Sequence, residues 1–307
     1  MGATTNAIQF GYQQEVTWGT SLPASPVKIL RITGESMKSM TESKTSDEII
    51  SSRQRTDIIR TGVHGEGGFN FELSYGNIDD FLEGVFMNTW AANILTIGTT
   101  AKHFSIEKKW ADLTGANKFE IYKGCRVGSM ALNVAPGSVI TGSIGLTGKT
   151  GTSAAATIGT GVTAAPTNPC MNSIDDVRAF SEGGVNLFTV GATEFSLNVN
   201  NNMRSLPTIG SIDPVGINAG GVDVTGSITL YFDDTVQVAK ALAWTTTDLA
   251  ITMGGAASLK YLFEFAKVKI TDVETVAGGV NGDAMLKMNW SAFYDATKTQ
   301  MKLTRTP

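Results

Sequence analysis

The chain has 307 residues, 34 of them glycine, with 17% charged residues and a formal net charge of -4. That length suits two domains of about 150 residues, each able to bury its own core, and few charges with many glycines favour sheet and turns over surface helices. An acidic balance without clustered Lys and Arg disfavours tight nucleic-acid binding, and no apolar run reaches the roughly 18 to 20 residues that span a bilayer.

In chain order, residues 1–26 read as an N-terminal arm. They lack the basic region and apolar stretch of an export signal, and Asn6 stands where a myristoylation signal carries Ser or Thr. Residues 27–150 read as a first domain. Its opening VKILRITGESMKSM alternates and leads into a charged excursion over residues 41–66. Gly67 and Gly68 then introduce FNFELSYGNI, where Phe69, Phe71, Leu73 and Tyr75 alternate with polar residues as in a half-buried strand. Asp79 and Asp80 open DDFLEGVFMNTW, whose Phe81, Leu82, Val85 and Phe86 recur at helical spacing, so Asp79 is a candidate helix cap. The segment YKGCRVGSMALNVAPGSVITGSIGL reads as an antiparallel pair around a glycine turn.

Residues 151–180 form a Gly/Ala/Thr-rich linker, and residues 181–307 form a second domain with a similar rhythm. There VNLFTVGATEFSLNV alternates and precedes an excursion of Asn, Gly and Pro over residues 200–219. Gly220 and Gly221 lead VDVTGSITLYF, and Asp233 and Asp234 open DDTVQVAKALAW, with Asp233 the second candidate cap. The strand-turn-strand pair recurs in FAKVKITDVETVAGGVNGDAMLKM at an offset of 142, which puts Ala135 opposite Ala277, Val127 opposite Lys269 and Ile144 opposite Leu286. A duplication follows: two tandem β-sandwich or barrel domains, mainly β, each with one flanking α-helix.

Chemistry has little to work with. His64 and His103 are the only histidines, and Cys125 and Cys170 form neither a C-x-x-C nor a disulfide framework, so no metal, cofactor or catalytic residue is expected. Cys125 lies in a strand pattern, where a buried thiol is ordinary. The stretch SIGLTGKT resembles a phosphate loop around Lys149, but Ser143 replaces its first glycine and no helix pattern follows. The Asn289-Trp290-Ser291 sequon carries no weight without an export signal.

Open sheets leave strand edges that invite pairing, and a weakly charged protein with long loops is suited to bury them against its own copies. The residues also resemble the tail tube proteins of long-tailed bacteriophages. The similarity runs through NAIQFGYQQEVTWGT, the segment ESMKSMTESKTSDEIISSRQRTDIIRTGVHGEGGFNFELSYGNIDDFLEGVF, and the closing KMNWSAFYDATKTQMKLT. The resemblance implies a non-enzymatic virion protein made in the host bacterial cytoplasm. Its rings stack into a tube, with a tape measure protein and a tail terminator as partners, DNA passing through without specific binding, and no membrane partner. Most members have one domain and form six-membered rings, so a duplicated chain would close a pseudo-hexameric ring as a trimer in preference to a hexamer. In that family a long loop contacts the next ring; residues 41–66 match it, making Ile49, Ile50, Arg53, Arg55, Ile58, Ile59 and Arg60 the candidate contact residues. The competing readings are an inner-tube or terminator protein of a related injection system and a β-rich carbohydrate-binding module, for which the dispersed Trp18, Trp90, Trp110, Trp244 and Trp290 supply no platform.

Overall fold

The structure, a computed structural model, describes residues 4–307. It is mainly β. The first half contributes β1 (Ile8–Glu15), β2 (Val27–Ile29), β3 (Gly34–Glu35), β4 (Lys38–Thr45) and β5 (Ile58–Glu72), then helix α1 (Asp79–Phe86). It continues with β6 (Ile94–Thr96), β7 (His103–Trp110), β8 (Phe119–Val134), β9 (Thr141–Gly148), β10 (Thr150–Ala154) and β11 (Val162–Thr163). The second half contributes β12 (Val177–Glu182), β13 (Val185–Asn186), β14 (Ala192–Asn200), β15 (Arg204–Leu206), β16 (Gly216–Asn218) and β17 (Asp223–Tyr231). Helix α2 (Val236–Leu242), β18 (Thr246–Gly254), β19 (Lys260–Ala277), β20 (Ala284–Ala292) and β21 (Lys302–Thr306) complete it.

Antiparallel pairing runs β1, β7, β8, β9, β5, β4 in the first half. The same order recurs in the second as β12, β18, β19, β20, β17, β14. The long strands β8 and β19 each change partner along their length, pairing early with β7 or β18 and late with β9 or β20. The change of partner is accompanied by a bulge, between Val127 and Ser129 in β8 and between Ile270 and Asp272 in β19.

Superposing the bulges puts Val127 opposite Ile270, an offset of 143, one residue from that expected. Side chains alternate faces along a strand, so a one-residue slip would exchange core for solvent. Val127 and Ile270 are both buried, whereas Lys269 is not. Ile144 likewise corresponds to Met288, since each lies beside the matching strand at Met130 or Val273.

The expected arm and linker both contain strands. Residues 8–15, expected in the arm, form β1 and pair along their length with β7. Within the linker, residues 151–154 belong to β10, which pairs with β8, and Val162 and Thr163 pair in parallel with β2. Small residues permit this: a Cβ on Gly151 would lie 2.9 Å from the Tyr122 ring, and one on Gly159 would strike the Gln13 amide and the Ser25 carbonyl.

One apolar cluster underlies both halves. Phe10, Phe69, Phe81 and Phe104 pack in the first, and Phe180, Phe195, Phe265 and Trp290 in the second. The Phe81 and Phe104 rings stack with centroids 4.5 Å apart, and Phe265 meets Trp290 at 4.9 Å.

Candidate functional site

The halves are joined strand to strand. Residues 129–134 of β8 pair antiparallel with residues 195–200 of β14, Val134 opposite Phe195 and Ser129 opposite Asn200. Both strands alternate, so their apolar residues point the same way. Met130, Leu132, Val134, Phe195, Leu197 and Val199 are buried on the core side, while Ser129, Ala131, Asn133, Ser196, Asn198 and Asn200 face outward. The joint turns β4, β5, β9, β8, β14, β17, β20 and the later part of β19 into one continuous sheet.

The outward face of that sheet is polar and largely uncharged. One transverse row reads Asn70, Ser143, Ala131, Asn198, Thr225, Ser291, Lys269; the next reads Glu72, Thr141, Asn133, Ser196, Ser227, Asn289, Asp272. The Ser196 and Ser227 hydroxyls lie 2.8 Å apart, and the Asn289 amide donates to Asp272 at 3.3 Å. Charge appears only toward the margins. Lys38 meets Glu66 at 3.0 Å, and its hydrogen bond, aided by one from His64, holds the Glu66 carboxyl below the usual range despite partial desolvation. A groove of about 810 Å³, lined by Gly128, Ser129, Gly145, Asn198 and Asn200, makes this face concave at the joint.

A second feature projects from the sheet. β4 and β5 form a hairpin whose tip spans residues 46–57. Ile49, Ile58 and Ile59 are exposed there, and Ile50 is 42% exposed. Arg53 and Arg60 are exposed, and Arg55 pairs with Asp47 at 2.6 Å. In the second half the matching excursion folds apart from its parent strands, as the β15–β16 hairpin. It leans on the first, with Val63 N–H donating to the Ile212 carbonyl at 2.9 Å. Ile209, Ile212 and Val215, all exposed, extend the same ridge.

The candidate caps act differently from simple capping. Asp79 is the first residue of α1, but its carboxylate accepts from the Tyr261 hydroxyl and meets Arg305 at 2.5 Å, and no side chain caps the helix. At α2 the side chain of Asp234, rather than Asp233, accepts from the Val236 N–H at 2.9 Å. Sequence could not find the Asp79 cluster because its partners lie far along the chain.

The reactive residues are dispersed. Cys125 is wholly buried, and burial pushes its thiol well up. The backbone of Cys170, ahead of the second half, pairs antiparallel with Ser74 of the first. His64 lies between Glu42 and Glu66 at 3.4 and 3.5 Å. Ser143 to Gly148, the phosphate-loop lookalike, runs inside β9 between β5 and β8. Among the described residues no cluster of His, Cys, Asp and Glu could hold a metal, and no helix is long and apolar enough to cross a membrane.

Residues 5–292 match the family model described as phage tail tube protein. The match covers nearly the whole chain, so the chain belongs to the phage tail tube protein family and is a structural component of the phage tail. No curated protein matches it.

Proposed function

We propose that this chain closes with its own copies into rings that stack into the tail tube, the conduit for DNA during ejection. The joint between β8 and β14 carries the reading. It is a strand-to-strand contact between two units with the same pairing order, and it leaves a continuous sheet with one apolar and one polar face. Two units per chain make three chains sufficient for a six-unit ring.

The concave face of Ser, Thr and Asn is the wall that DNA passes. Neutral hydroxyls and amides dominate it, and its lysines Lys38 and Lys287 stand opposite Glu66 and Glu274, so between its margins the wall offers phosphates no uncompensated cation and does not retain its cargo. The ridge of Ile49, Ile50, Arg53, Arg55, Ile58, Ile59 and Arg60, extended by the β15–β16 hairpin, is the contact with the next ring. A tape measure protein inside the tube and a terminator at its end are the further partners.

Negative-stain microscopy of concentrated protein, with end-on averages and mass measurement of the smallest closed species, tests this. Three-chain rings or tubes are expected. Six full-length chains per ring would keep the tube and remove the trimer, and a monomer at every concentration would remove both.

A further inference from the structure

The internal joint has an unfilled counterpart at each end of the chain. Superposed bulges make residues 272–277 of β19 the equivalents of residues 129–134 of β8. Glu35 stands beside Phe69 as Phe195 stands beside Ile228, which makes residues 35–40 the equivalents of residues 195–200 of β14. In the first half the β8 segment has β14 on its outer edge. Among the described residues no strand pairs with the outer edge of residues 272–277 or of β4, although the Ser39 hydroxyl of β4 donates to the Gly151 carbonyl of β10 at 3.4 Å.

We propose that residues 272–277 pair antiparallel with residues 35–40 of a second copy, in the register of the internal joint: Ala277 opposite Glu35, Thr275 opposite Met37, Glu274 opposite Lys38. This deepens the ring assembly above and rests on it.

Three observations carry the register. Thr275 and Ala277 are exposed, whereas their counterparts Leu132 and Val134 are buried beneath β14, as expected of strands lacking a neighbour. The register places opposite charges face to face where the internal joint has the neutral pair Ala131 and Asn198. Glu274 already lies opposite Lys287 within its chain, and Lys38 opposite Glu66, so pairing makes a row of alternating sign: Lys287, Glu274, Lys38, Glu66.

The third observation is how the free edge is kept. Ser36 N–H donates to the Gly68 carbonyl, so the backbone groups of Met37 point the other way, to the open edge. There Met37 N–H is held by Glu35 Oε2 at 2.8 Å, and its carbonyl accepts from the Tyr122 hydroxyl at 3.0 Å. At the internal joint Asn201 N–H donates to the Gly128 carbonyl, so the matching groups of Leu197 face β8. Side chains thus occupy in the single chain the bonds that a neighbouring strand takes in the ring, which guards the edge against other pairings.

The test uses the full chain with Cys170→Ser, leaving buried Cys125. Ser36→Cys with Val276→Cys places two cysteines directly opposite across the predicted joint, and Ser36→Cys with Glu274→Cys displaces them by two residues. Oxidation of the first should give a covalent ladder ending at the ring's copy number, and the second about tenfold less product or lower still. Equal or stronger linkage of the displaced pair, in protein that forms rings when reduced, overturns the register but keeps the ring. Absence of closed species from wild-type protein overturns both. Charge reversal provides a second arm: Glu274→Lys should block ring formation and added Lys38→Glu should restore it. Wild-type assembly by Glu274→Lys alone would overturn the pairing.

Discussion

Arg305, in the last strand of the chain, meets Asp79, the first residue of the first helix, with Nη1 2.5 Å from Oδ2. The same carboxylate accepts from the Tyr261 hydroxyl, and the Arg305 guanidinium lies 4.3 Å from the Trp90 ring. β21 also pairs with β6, so the end of the second half is stitched into the first by both backbone and charge. Asp79→Asn keeps the shape but leaves the largely shielded Arg305 without its counter-charge, and should cost about 2–3 kcal/mol. Urea unfolding followed by Trp fluorescence reads this, and a loss near zero would mean that the ion pair is only surface decoration.

The alternation that fixes strands and the Asp-led helices was legible, because period-2 and period-3.6 patterns are local properties of Phe69 to Tyr75 and Phe81 to Phe86. The repeat was legible too, but its offset erred by one residue, because matching Ala135 with Ala277 follows residue identity, whereas strand pairing sets Val134 against Ala277. The joint of β8 with β14 was not legible: Asn133 and Ser196 come together only through tertiary pairing. What makes β1 a strand rather than part of an arm is its pairing with β7, far along the chain, and the missing side chain of Gly11 admits Val27 from β2.

Gly226 lies in β17 on the core face, where a Cβ would come within 2.1 Å of the Ser196 carbonyl and 2.5 Å of the Trp290 ring. Gly226→Ala should therefore displace Trp290 and cost about 2–3 kcal/mol by overpacking. A fall in denaturation midpoint accompanied by a shift in Trp emission is expected. Gly137→Ala, with open space around its Cβ position but positive φ, is the contrasting variant and should lose about 1 kcal/mol with unchanged emission.

His103 is half-buried and its Nδ1 has no partner. Desolvation first, then the Arg126 guanidinium, holds its pKa below the ordinary value, against an opposing pull from Glu15. The unfolded chain accordingly takes up the proton before the folded one does. Stability is complete above the unfolded pKa of about 6.5 and falls as pH drops through it toward the lower folded value. Unfolding midpoints should decline from pH 7.5 to 5.5, and His103→Phe should flatten that decline. A slope unaffected by the substitution would assign it to other groups.

A channel wall calls for neutral side chains even at positions that do no structural work. Asn198, Thr225 and Ser291 lie in one transverse row on the outward face, across the joint from Ala131 and Ser143. Replacing all three by Lys should change stability by less than about 0.5 kcal/mol per site, because the side chains point to solvent. Three chains would then carry nine added cations around the channel. Assembled tubes should acquire affinity for short duplex DNA that weakens steeply with salt, while wild-type tubes bind none under the same conditions. Electrophoretic retention across a salt series reads both. Equal retention by variant and wild type would place this face outside the channel, and the sheet would then have to curve the other way.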